Sequence, residues 1–275
     1  MQDAISTSQP GAEPEGDIAA FYRHVLDTLH TYAVPFLIGG AYALHQYTGI
    51  ARHTRDLDIF IRRQDYASAD AALCKAGYRT ELTFPHWLGK IHCNGLYIDL
   101  IFSSGNGVAE VDDTWFKHAS EAEVLGIPTK ICPVEEINWS KAFIMERERF
   151  DGADVVHLLR ACGNQLDWAR LFRRFEPHWR ILLCHLILFG FVYPAQRALV
   201  PTAMMDELLD RLRRETHTAP PQHDICLGTL LSREQYLNDI GKQGLQDARV
   251  IPFGNMSAQD IAIWTQAIPP DHHAQ

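Results

Sequence analysis

In the stretch Asp56-Leu57-Asp58-Ile59-Phe60-Ile61, two carboxylates stand two positions apart in an otherwise apolar run. Alternate residues of a strand face the same side, so a strand here puts Asp56 and Asp58 together, roughly 7 Å apart at Cα. Two carboxylates buried together without a partner repel, and at least one takes up a proton. A divalent cation resolves the conflict. Mg²⁺ takes carboxylate oxygens together with water and substrate phosphates, and rarely a full protein cage. A second strand-like run, residues 96–102, carries a single charge at Asp99. A lone carboxylate in such a strand is costly unless it is paired or liganded. If that strand lies beside residues 56–62, three carboxylates converge. That would seat two metal ions able to activate a hydroxyl and stabilise a leaving pyrophosphate.

Upstream, the apolar residues 36–38 run into Gly39-Gly40 and then a helical stretch closed by Gly49. Missing Cβ atoms let phosphate oxygens approach backbone N–H groups, and a helix N-terminus favours anions. Residues 17–34 have apolar positions at helical spacing behind Asp17, and residues 65–77 read as a helix ending at Gly77. Three strand-like pieces follow, "YRTELTF", "GKIHCN" and "LYIDLIF". This order indicates an α/β or α+β domain with helices against a mostly central sheet. Past residue 132 the character changes. Stretches 133–150, 152–161, 166–192, 201–216 and 231–242 read as helices separated by Gly or Pro. The expected organisation is a leader at 1–16, a first domain at 17–132, a helical domain at 133–250 and a tail at 251–275.

The chain is 47% hydrophobic and 21% charged, an ordinary globular composition. Its net charge of −9 argues against a broad nucleic-acid-binding face. The six cysteines include no C-x-x-C pair and read as small core residues in a reducing compartment. The N-terminal residues 1–16 are polar and read as a disordered leader rather than a signal peptide. The longest apolar run, 181–193, is too short to span a bilayer and carries His185. A cytoplasmic location and no membrane partner are the expectation.

The set Gly39-Gly40, then Arg52-x-Thr54-x-Asp56-Leu57-Asp58, then the isolated Asp99 resembles the nucleotidyltransferase superfamily, the polymerase-β-like fold. The family's usual Gly-Ser is Gly-Gly here. A second stretch, "INWSKAFIMERERFDGADVVHLL" (137–159), looks like the Lys-helix and Asp-helix pair of abortive-infection-type nucleotidyltransferase toxins and their uncharacterised bacterial relatives. The resemblance implies an α+β fold: a mixed sheet with flanking helices, followed by a mainly helical C-terminal region. It implies Mg²⁺-dependent transfer of a nucleoside monophosphate from a nucleoside triphosphate, ATP among the candidates, with release of pyrophosphate. The acceptor is a hydroxyl on tRNA, protein or a small molecule. Asp56, Asp58 and Asp99 would be catalytic and hold two metal ions. Gly39, Gly40, Arg52, Thr54, Lys141 and Asp154 would hold the nucleotide, with Asp151 competing with Asp154 for the helical Asp role. The alternative is a catalytically inactive nucleotide- or partner-binding module, antitoxin-like, that kept the fold without turnover.

Other features read as structural. His223-Asp224 lies in a Pro-rich loop without helical His or Asp partners, which argues against a metal phosphohydrolase. Between residues 167 and 180, cationic side chains alternate with Trp168, Phe172, Phe175 and Trp179. At helical spacing the aromatics face a core and the arginines the solvent; an RNA-binding face is the sharper alternative.

Overall fold

Strand β2 holds the middle of a seven-stranded mixed sheet, and its side chains alternate between a sealed face and a half-open one. In the computed structural model, which describes residues 16–51 and 56–268, the first elements are α1 (Gly16–Thr31), β1 (Leu37–Ile38), α2 (Gly40–Thr48), β2 (Asp58–Phe60) and α3 (Tyr66–Lys75). Next come β3 (Arg79–Phe84), β4 (Leu88–Cys93), β5 (Leu96–Ile101), α4 (Asp113–Lys117), β6 (Ser120–Val124) and β7 (Ile127–Ile131). The sheet order is β3-β4-β5-β2-β1-β7-β6. β2 runs parallel to β5 and antiparallel to β1, and β1 runs parallel to β7. The expected α+β architecture is present: a mixed sheet with flanking helices, then a mainly helical region.

Leu57, Ile59 and Ile61 are fully buried, as are Ile98 and Leu100 on β5. Asp56, Asp58 and Phe60 lie on the opposite, partly exposed face. The alternation of apolar and polar residues therefore fixes the register, because a one-residue slip would bury the carboxylates in the apolar layer. Hairpin turns at Asn94-Gly95 and Leu125-Gly126, all four residues at positive φ, join β4 to β5 and β6 to β7. Sequence reading did not separate out β6, β7 or α4. α4 starts where Asp112 accepts from the N–H groups of Thr114 and Trp115.

The chain forms two compact units. One runs up to Thr83 with Gly89–Ile101 and Val111–Cys132; the other comprises Phe84–Leu88, Phe102–Glu110 and the chain from Pro133 on. The second unit contains α5 (Val134–Ala142), α6 (Gly152–Cys162), α7 (Trp168–Arg174), α8 (Trp179–Val192) and α9 (Thr202–Thr216). Short strands β8 (Ile225–Cys226) and β9 (Gln246–Asp247), with α10 (Leu237–Gly241) between them and α11 (Ala258–Gln266) after, complete it. α5 packs on α6, α7 and α8.

Several helical expectations in this unit are corrected. The helix expected over 133–150 stops at Ala142. Residues 145–150 instead form a short reversal, with a Met145–Phe150 bridge and the Glu146 N–H donating to the Arg149 carbonyl at 2.8 Å. The helix expected over 166–192 is two helices. Pro177 has no N–H to donate and disfavours helical backbone at the residue before it. Of 231–242 only 237–241 is α-helical; before it, the Ser232 hydroxyl accepts from the Gln235 N–H at 3.1 Å in a turn. The expected tail 251–275 contains α11, capped reciprocally by Ser257 and Asp260. Residues 1–15, most of the expected leader, and 269–275 lie outside the described residues.

Candidate active site

The two glycines after β1 meet the side chains of β2. Gly40 has φ +55°, and a Cβ built there would lie 1.7 Å from Asp58 Oδ2. A Cβ on Gly39 would lie 2.2 Å from Cε2 of Phe60. The glycines thus admit the Asp58 carboxylate and the Phe60 ring against the start of α2. The Gly39 N–H donates to the Asp58 carbonyl at 3.0 Å, fixing the two segments together. The carboxylate stands at a helix N-terminus, where the helix dipole favours negative charge.

Asp58 is the register partner of Asp99 on the neighbouring parallel strand β5. Paired residues of adjacent strands share a face, and so do residues two apart, so Asp56, Asp58 and Asp99 all occur on one face. Asp99 is not alone there. Lys90 Nζ donates to Asp99 Oδ1 at 2.7 Å and sits 3.8 Å from the centroid of the Tyr97 ring. The nearby Asp56 charge adds to the burial that raises the Tyr97 hydroxyl's pKa. Burial raises the Asp99 pKa; the Lys90 ammonium pulls it back and the Asp56 charge pushes it up, for a net rise. Buried Tyr22 lies close enough that Asp56 and Asp58 add to the burial that raises its hydroxyl's pKa. Among the described residues, no three His, Cys, Asp or Glu side chains form a group placed to hold a metal ion.

The second unit carries a separate charged cluster. Lys141, in the last turn of α5, donates to Asp151 and Asp154 at 2.8 Å each. Arg149 reaches Asp151 with a fork, Nε to Oδ1 and Nη2 to Oδ2, both at 2.9 Å. Burial alone would raise the Asp151 pKa, but Arg149 and Lys141 outweigh it and hold the carboxyl down to about 2. Asp151 precedes α6 and Asp154 lies in its first turn, where acidic side chains suit the dipole. The competing assignments for the helical Asp therefore share one lysine.

Among solved structures, several nucleotidyltransferases align with part of the chain. The antibiotic-resistance factor ANT(2'')-Ia matches 62% of this chain over 98% of its own, at 16% identity and a TM-score of 0.42. The lincosamide antibiotic adenylyltransferase LnuA matches 55% over 98%, at 17% identity and 0.36. An antigenic nucleotidyltransferase-like protein from Paracoccidioides brasiliensis matches 67% over 92%, at 13% identity and 0.43. No protein-family model and no curated protein matches the chain.

Of the residues singled out in the sequence, Gly39, Gly40, Asp56, Asp58 and Asp99 fall on adjoining elements of the first unit. Lys141 and Asp154 bond each other in the second. Arg52 and Thr54 lie outside the described residues. Sequence reading missed Lys90, Tyr97 and Tyr22. A signal for Lys90 was present: Asn94-Gly95 is a two-residue hairpin turn, which puts residue 93 opposite 96 and therefore 90 opposite 99.

Proposed function

We propose that the chain is a Mg²⁺-dependent nucleotidyltransferase that moves a nucleoside monophosphate from a triphosphate to a hydroxyl acceptor and releases pyrophosphate. The observation that carries this reading is the Asp58–Asp99 register, with Asp56 on the same face and Asp58 seated on Gly40. The donor atoms suit the metal in kind. All three side chains offer hard carboxylate oxygens, and Mg²⁺ is commonly held by one or two carboxylates plus substrate phosphates. Asp56 and Asp58 would hold it, and it would supply charge neutralisation at the phosphates.

Asp99 is the candidate proton acceptor for the attacking hydroxyl. Its raised pKa makes it a stronger base than an ordinary surface carboxylate. The hydroxyl oxygen attacks the α-phosphorus in line, its proton passes to Asp99, and the bond to pyrophosphate breaks. The backbone at Gly39-Gly40 and the N-terminus of α2 are proposed to bind the phosphates. Lys141 and Asp154 keep, as part of this proposal, the nucleotide-holding role that the resemblance gives them. Catalysis then comes from positioning and electrostatics, without a protein nucleophile.

A second reading, a nucleotide- or partner-binding module without turnover, draws on the Lys90 ammonium already held at Asp99. Label transfer separates the two. The native chain is incubated with each α-³²P-labelled triphosphate, Mg²⁺ and cell extract, and labelled products are resolved as RNA, protein and small molecules. Label that appears with the native chain and is absent with Asp58→Asn supports the transferase. Absence of transfer from all four nucleotides supports the binding module.

A further inference from the structure

We infer that Lys90 takes the place of a second metal ion, so that this site holds one divalent cation, on Asp56 and Asp58, with the Lys90 ammonium serving as the cation at Asp99. The inference rests on the proposed function and deepens it. Three carboxylates occur on one face of β2 and β5 and bring three negative charges to it. Two divalent cations would overcompensate that charge before any phosphate arrives. One divalent cation and one ammonium balance it.

The position of Lys90 is built rather than incidental. Its side chain is 22% exposed and that of Asp99 19%, so the pair is largely withdrawn from water, where a charge-assisted hydrogen bond is strong. The Tyr97 ring holds the ammonium from a second side, 3.8 Å from its centroid. A chain of contacts thus runs Asp99–Lys90–Tyr97. The hairpin turn at Asn94-Gly95 sets Lys90 directly across from Asp99, so the pairing is a consequence of backbone register. A second metal ion at Asp99 would have to displace an ammonium held by a carboxylate and an aromatic face together.

The test counts bound Mn²⁺, used as the probe for a divalent cation, by the loss of its free-ion electron paramagnetic resonance signal on the full chain. Native protein is expected to bind one Mn²⁺ that disappears in Asp58→Asn. Lys90→Met and Lys90→Gln are expected to bind two, the second lost again when Asp99→Asn is added, while Lys90→Arg stays at one. Circular dichroism confirms that each variant is folded. Two ions on the native chain, one of them lost in Asp99→Asn, would overturn the inference and leave the transferase reading in place. So would a Lys90→Met and a Lys90→Gln variant that still bind one. If no ion on the native chain depends on Asp58, both the inference and the metal site of the proposed function fail.

Discussion

Substituting Gly40 with alanine should be the most costly single methyl group that can be added around the site. Two separate penalties meet there. Gly40 has φ +55°, a conformation that costs a residue with a Cβ about 1–2 kcal/mol. The new methyl would also fall 1.7 Å from Asp58 Oδ2, and forcing a group into packed contact typically costs about 1–3 kcal/mol. Gly40→Ala is thus expected to lose about 2–5 kcal/mol. Two neighbours separate the penalties. Gly49 has φ +69° but open space around its Cβ position, so Gly49→Ala should cost about 1–2 kcal/mol from the backbone alone. Gly39 has φ −120°, so Gly39→Ala pays only for displacing Phe60. That ring is stacked on buried Trp115 at 5.5 Å and gives way poorly, so about 1–3 kcal/mol is expected. The assay is equilibrium urea unfolding of all three variants, followed by circular dichroism and tryptophan fluorescence with the slope checked for constancy. Removing the carboxylate with Asp58→Ala should recover part of the Gly40→Ala loss, since residues in contact couple. A Gly40→Ala cost equal to that of Gly49→Ala, with no coupling to Asp58, would refute the seating of Asp58 on Gly40.

Two predictions concern the second unit. The Asp151 pKa lies near 2 when folded, below the usual unfolded value near 3.9, so its contribution is fully present above about pH 4 and is lost as pH falls through 2. Asp151→Asn should therefore cost about 2 kcal/mol at pH 7, with the gap closing between about pH 4 and 2 in urea unfolding at stepped pH; a gap that stays constant with pH would refute the pairing. Lys141→Met leaves the nearly buried Asp151 and Asp154 carboxylates without their shared ammonium and should destabilise by about 3 kcal/mol, with Lys141→Arg milder, in the same assay.

The elements legible in the sequence were those whose signal is local. Helix α2 ends at Gly49 in the left-handed conformation that a glycine cap supplies, and the strand around Asp58 shows its alternation directly. The site was half legible for the same reason: the spacing of Asp56 and Asp58 is read from one strand. What was lost needed a partner far away in sequence. The helix expected to run through residue 150 ends at Ala142, beside Lys141 paired with Asp151 and Asp154, and beyond it Glu146 accepts from the Arg233 N–H at 2.8 Å. The charge-rich run Glu146–Arg149 looks helical by propensity, and these tertiary contacts override it. The glycines were read as a cradle for phosphate alone, yet the Cβ space over both is filled by Asp58 and Phe60. Only the pairing of β1 with β2 reveals that, whereas Lys90 at Asp99 was within reach of the local Asn94-Gly95 turn.

Asp56 and Asp58, beside Gly40, are proposed to form a metal–triphosphate site. The most direct test is isothermal titration of each of the four triphosphates into the native chain and into Asp58→Asn, with and without Mg²⁺. Saturable binding of at least one triphosphate is expected, requiring Mg²⁺ and lost in Asp58→Asn while the variant remains folded. Binding that is equally strong without Mg²⁺, or unchanged in Asp58→Asn, would contradict it.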